Sequence, residues 1–176
     1  HAGLTIIHDR ADALGRFMSA YARLARLPLP VRSPTELGAM VRRIASLHAA
    51  RTTVEAGPTV FVDADADQLE QVLINLIKNG VEASGEHGRV RIRWRTVETL
   101  LVIEIEDDGP GLARTDNLWV PFFTTKPGGT GIGLVLSREI VENHGGSLAL
   151  ENSGRGRGCV ARITLPLADL RTGSSA

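Results

Sequence analysis

Three groups of residues in this sequence could do chemistry. The first lies in "NLIKNGVEAS" (75–84), where Asn75, Lys78, Asn79 and Glu82 recur three and four residues apart. A helix would set them side by side. An asparagine carbonyl is a hard oxygen ligand, and magnesium accepts one or two such ligands alongside phosphates and water. A lysine beside it can meet a phosphate as a point charge. Asparagine is a mediocre helix former, so two of them one turn apart suggest a polar pocket wall. The same spacing also fits a plain solvated face.

The second group is "IEIEDDGPGL" (103–112), an apolar strand running into Asp107, Asp108, Gly109, Pro110 and Gly111. An ionised carboxylate only accepts hydrogen bonds. It would take the exocyclic amine of adenine and oppose the guanine oxygen, which selects ATP over GTP. Asp107, nearer the strand, suits this role better than Asp108. The two glycines would leave no side chain between backbone and ligand. The bland alternative is a strand followed by an acidic turn.

The third is "PFFTTKPGGTGIGL" (121–134). It is not a Walker A loop, because Gly133 is followed by Leu134 and Val135 rather than Lys and Ser or Thr. A dinucleotide fingerprint needs a preceding strand, and Pro121, Lys126 and Pro127 do not make one. What remains is a flexible loop entering a helix N-terminus, where free backbone N–H groups and the positive helix end suit a phosphate. Lys126 adds a charge.

The surrounding periodicities say what would position these groups. Period-two or continuous apolar runs predict strands at about 59–62, 89–97, 100–106, 147–151 and 160–165. A turn at 96–99 makes a hairpin of two of them. Helices are predicted over 66–84 and 131–144. The first has Leu69, Val72, Leu73, Leu76, Ile77 and Val81 on its core face. Asp65 would cap it, with Gln68 closing a capping box. Gly145 suits the left-handed residue after the second. A short helix, capped by Ser33 or Thr35, would bury Leu37, Met40, Ile44 and Leu47. This pattern is an α+β chain forming a two-layer α/β sandwich, a mixed sheet with helices on one face. Ahead of it, Leu4, Ile7, Ala11, Leu14, Met18, Tyr21 and Ala25 form a heptad seam beside a second apolar stripe. That describes a bundle-type helix, ended by "LPLP" (27–30). The tail 171–176 reads as disordered.

Composition narrows the function classes. The 176 residues carry 20 basic and 20 acidic side chains and one cysteine. This is no nucleic-acid footprint, and no internal disulfide can form. No run of about 18 apolar residues spans a membrane. A cytoplasmic setting is expected, without membrane contact from this segment. The chain opens inside a helical pattern, so a longer parent, anchored in a membrane or not, is expected.

Taken in order, the patches resemble the ATP-binding domain of sensor histidine kinases. "NLIKNGVEAS" is similar to the N box, "DDGPG" to the first glycine box, "VPFFTTK" to the F box and "GGTGIGL" to the second glycine box. "GRGRGCVARITLP" (154–166) is similar to the last glycine turn and final strand. The similarity runs over about 33–170 and is nearest the nitrogen-regulation type. It implies the Bergerat ATP-binding fold over 31–170, preceded at 1–30 by part of a dimerisation hairpin. It implies transfer of the ATP γ-phosphoryl to a histidine, with a response-regulator receiver domain and a second copy of the dimerisation helices as partners. It implies magnesium on Asn79. Asn75, Lys78 and Lys126 would serve catalysis. ATP contacts would come from Asn79, Glu82, Asp107, Gly109, Gly111, Thr125, Lys126, Gly129, Thr130, Gly131, Gly133 and Leu134. Gly80 and Val120 depart from the family pattern, standing for alanine and an acid. Among His1, His8, His48, His87 and His144, none sits in the acceptor motif. His8 reads as a bystander, His48 and His144 as surface residues, and the acceptor is expected outside this chain. Two rivals stay open. An ATP-hydrolysing clamp of the same superfamily would need a carboxylate where Asn75 stands. A non-catalytic module would bind nucleotide or grip a partner.

Overall fold

The computed structural model describes residues 27–112, 116–124, 126 and 129–168, together with Gly15, Met18 and Ala22. Those last three are helical. The remainder of the expected bundle helix and the tail 171–176 lie outside the described residues. In chain order the elements are β1 (Ser33–Glu36), α1 (Leu37–Ala45), β2 (Thr52–Val54), β3 (Phe61–Ala64), α2 (Ala66–Ala83), β4 (Val90–Val97), β5 (Leu100–Asp107), α3 (Gly133–Asn143), β6 (Ser147–Asn152) and β7 (Cys159–Pro166).

Five strands form a mixed sheet in the order β2-β4-β5-β7-β6. β4 and β5 are the expected hairpin, in register from Val90↔Asp107 to Val97↔Leu100. β2 joins β4 in parallel; the other pairs are antiparallel. Alternation along each strand sends Val90, Ile92, Trp94, Leu101, Ile103, Ile105, Ile163 and Leu165 to one face. There they are buried beneath α1, α2 and α3. The other face carries Arg91, Arg93, Glu104, Glu106 and Arg162. Glu104 accepts from Arg93 at 2.7 Å and Arg162 at 3.0 Å. Burial alone would raise the Glu104 pKa, but these two guanidiniums outweigh it and hold the carboxyl below its ordinary value.

The core overrides local preference in α2. Gly80 costs about 1 kcal/mol and each asparagine about 0.7 kcal/mol of helix propensity. Burying Leu69, Val72, Leu73, Leu76 and Ile77 returns about 1.5–3 kcal/mol apiece. The helix therefore forms around residues that packing did not choose.

Several expectations are corrected. Residues 33–36 are not a helix cap but a strand, paired antiparallel with β3 in a separate two-stranded ribbon. Glu36 caps α1 instead, accepting from Ala39 N at 3.1 Å. α1 ends at Ala45 in a 3-10 turn (Ser46–His48), whose tighter winding changes the phase of the pattern. Leu47 is consequently exposed rather than buried. β2, three residues long, carries no period the sequence could reveal. α3 begins at Gly133 rather than at 131, because Gly131 takes φ +64° ahead of the helix. Gly145 does take φ +76° behind it.

The capping box is half made. Asp65 accepts from Gln68 N at 3.1 Å, but the Gln68 side chain turns to Pro28 O at 3.0 Å. Asp65 N donates instead to Nε2 of His144 at 3.0 Å. His144 is not a surface residue. It is 2% exposed, and its Nδ1 pairs with Ile140 O at 2.7 Å. That arrangement requires the neutral Nδ1–H tautomer. A histidine at the end of α3 thus ties down the start of α2.

Candidate functional site

α2 is the spine of the site. Its polar face presents Asn75, Lys78, Asn79 and Glu82. Lys126, from the glycine-rich loop, reaches this face. Its Nζ donates to Asn79 Oδ1 at 3.0 Å and to Glu82 Oε2 at 2.6 Å. Lys78 Nζ lies 3.8 Å from Glu82 Oε1. Four of the residues expected to touch ATP or metal therefore meet at one place. The Asn79 carbonyl already receives a cationic group, as a metal-ligand oxygen must.

Asn75 is differently employed. Its Nδ2 donates to Oγ of the buried Ser137 on α3 at 2.9 Å. A Cβ on Gly133 would lie 2.4 Å from Asn75 Oδ1. A side chain at the first residue of α3 would displace the Asn75 amide, so glycine there leaves room for the Asn75–Ser137 bond. Asn75 joins the helix bearing Asn79 to the helix whose N-terminus faces the loop.

The next turn of α2 meets the strand end. A Cβ on Gly80 would sit 3.1 Å from Val90 Cγ2 and 3.3 Å from Asp107 Cβ. The departure from the family alanine therefore lies against the candidate base-binding carboxylate. Asp107 continues the inward alternation of Leu101, Ile103 and Ile105 and is 8% exposed. Its Oδ1 accepts from Gly109 N at 2.8 Å and Cys159 N at 3.2 Å. Burial raises its pKa, these two N–H groups oppose the rise, and the neighbouring Asp108 and Glu106 add to it. Asp108 points elsewhere. It accepts from Arg89 N at 3.1 Å and Arg91 at 3.0 Å, which outweigh its desolvation and lower its pKa.

The loop is pinned at its base. Phe122, at φ 69°, donates its N–H to Gly131 O at 3.0 Å. A Cβ on Gly131 would lie 2.4 Å from the Phe122 carbonyl carbon. Gly129 N donates to Lys126 O at 3.1 Å. Thr130 is exposed, and Leu134 packs partly against the core. Thr125 lies outside the described residues.

Several site residues escaped sequence reasoning. Arg51 binds the carbonyls of Val81, Gly85 and Gly88 at the end of α2. Ser137, Asn152 and Cys159 were missed too. None belongs to a chemically conspicuous motif. Cys159 and Asn152 become visible only through register, since Asn152 pairs Cys159, the residue beside Asp107. Burial and the Asp107 charge push the Cys159 thiol up to about 12.

An asparagine-bearing helix, an inward aspartate ending a strand, and a glycine loop leading into a second helix define a nucleotide-binding ATPase class. Residues 64–169 match the family described as histidine kinase-, DNA gyrase B- and HSP90-like ATPase, and the chain belongs to it. It is 33% identical over 175 residues to the nitrogen regulation protein NtrY of Azorhizobium caulinodans, covering 92% of this chain and 23% of that protein. Over 108 residues it is 44% identical to the sensor protein kinase PilS of Pseudomonas aeruginosa, covering 57% of this chain and 20% of PilS. It thus spans about a quarter of the length of the curated relatives it matches. The nucleotide-free catalytic domain of histidine kinase ThkA superposes with a TM-score of 0.69 at 30% identity, covering 77% of this chain and 95% of that one. The two-layer fold with helices on one sheet face is the fold of those catalytic domains. No helix among the described residues is long and apolar enough to cross a membrane.

Proposed function

We propose that this chain is the ATP-binding catalytic core of a sensor histidine kinase, positioning magnesium and ATP for γ-phosphoryl transfer to a histidine. The convergence of Lys126, Asn79 and Glu82 carries the proposal: a lysine from the glycine-rich loop and a hard carbonyl oxygen meet on the polar face of α2. Asn79 would hold the metal, which would neutralise phosphate charge. Lys126 would exchange its contact with Asn79 for a phosphate, and Lys78 would add charge from α2. The N–H groups of Gly129, Gly131, Gly133 and Leu134 would meet the triphosphate, with Thr125 and Thr130 in the same loop. Asp107 would take the adenine amine between Gly109 and Gly111.

Phosphoryl transfer needs mainly position and charge neutralisation from the protein, and these groups provide both. Asn75 cannot abstract a proton from water, so attack by an imidazole is favoured over hydrolysis. The acceptor histidine and the dimerisation hairpin, of which 1–30 would be the second helix, belong to the parent protein. A response-regulator receiver domain would take the phosphoryl next. A ThkA structure in complex with a response regulator shares this fold at 24% identity and a TM-score of 0.74.

Incubation with γ-labelled ATP tests the division of labour. The chain should bind magnesium–ATP yet form no acid-labile phosphohistidine, while the parent protein should form it. Phosphohistidine on this chain, abolished by His8→Ala, would contradict the assignment.

A further inference from the structure

We propose that Asn152 is a positioning residue for the nucleotide base, a role resting on the ATP site described above. It sits on the last rung of β6, in register with Cys159, whose N–H binds Asp107 at 3.2 Å. Asn152 and Asp107 therefore flank one strand end. The loop after β5 is held between them. Asp107 Oδ1 takes the N–H of Gly109 at 2.8 Å, and Asn152 Oδ1 takes the N–H of Leu112 at 2.7 Å. Pro110 has no N–H to give.

The middle of the loop rests on the same oxygen. Gly111 adopts φ +87°, and a Cβ there would come within 2.7 Å of Asn152 Oδ1. Two side-chain oxygens on different strands thus fix both ends of a loop whose glycines leave its inner wall bare. Asn152 itself is exposed. Removing its amide opens no cavity and leaves Leu112 N free to bind water, so the fold does not depend on it. The height of the loop above Asp107 does. Asn152 acts through the loop and touches no reacting atom.

The test is calorimetric titration of three proteins with a non-hydrolysable ATP analogue and with ITP. Asn152→Ala should bind the ATP analogue about five- to twentyfold more weakly, because binding must then order a loop that the Asn152–Leu112 bond otherwise holds ready. Its preference for ATP over ITP should narrow. Asn152→Asp keeps an acceptor oxygen and should restore affinity to within about twofold. Both variants should melt within about 2 °C of wild type. Unchanged affinity in Asn152→Ala would overturn the proposal, and so would a loss that tracks a lowered melting temperature or is not rescued by aspartate. If wild type itself fails to bind, the ATP site is wrong; if only the Asn152 contrast fails, the site stands and this residue's role falls.

Discussion

Replacing Asp107 by asparagine should invert base selection while leaving the empty protein at least as stable. Two backbone donors, Gly109 N and Cys159 N, converge on Oδ1. In Asp107→Asn the amide can satisfy them only by placing its oxygen there, since its NH2 would oppose two donors. The NH2 is thereby forced into the position of Oδ2. A pocket edge that accepted now donates. The adenine amine loses a charge-assisted bond and faces a donor in a site only 8% exposed, where water gives little relief. That costs about 3 kcal/mol, roughly a hundredfold in affinity. The 6-oxo group of ITP meets the new donor and should gain about tenfold.

Stability moves the other way. Burial holds the Asp107 pKa above its ordinary value in the folded state. Folding therefore loses stability as pH rises past the unfolded pKa, and the loss is complete above the folded pKa. The neutral amide removes that cost, so Asp107→Asn should melt no lower than wild type at pH 7, with the difference vanishing toward pH 3. Calorimetry with ATP and ITP analogues, paired with thermal melts, checks both halves. Unchanged ATP affinity, or equal weakening of both nucleotides with a lowered melting temperature, would refute the geometry.

Other consequences are simpler. Glu104 is held below its ordinary pKa despite burial, so its stabilisation is present above about pH 4.5 and lost as pH falls through the folded pKa. Glu104→Gln should destabilise by about 1–3 kcal/mol at pH 7, and urea melts should show the gap closing below pH 4.5. The Lys126–Glu82 pair is half-exposed, worth about 0.2–1 kcal/mol. Chymotryptic cleavage of the empty loop at Phe123 should thus speed up by about 1.5- to fivefold in Lys126→Met. With its thiol pushed up to about 12, native Cys159 should alkylate at least about tenfold more slowly at pH 8 than the unfolded chain, because the reactive thiolate is scarcer even after its greater nucleophilicity is counted. Iodoacetamide labelling with and without urea measures the ratio.

The parts legible in sequence were those with a local signal. Period two exposed β4, β5 and β7, and the 3.6 period exposed α2 with Asn79 and Glu82 on its polar side. The strand-end aspartate and the glycine loop declared themselves by residue type. What stayed hidden depends on register or on distant partners. β1 and β2 are too short to show a period. Nothing near Asn152 announces that it meets Leu112, 40 residues away, and His144 looked like any helix-end histidine until Asp65 N came to meet it. The residue type of Asn75 suggests phosphate chemistry, but only the folded chain reveals its bond to Ser137, which links two helices.

If Asn79 holds magnesium for ATP, affinity for a non-hydrolysable ATP analogue should depend on magnesium in wild type and not in Asn79→Ala. Titrating both proteins across a magnesium series should show saturable wild-type binding that strengthens at least tenfold with the metal, and weak Asn79→Ala binding that ignores it. Wild-type binding indifferent to magnesium, or no binding at millimolar analogue, would rule out this metal site.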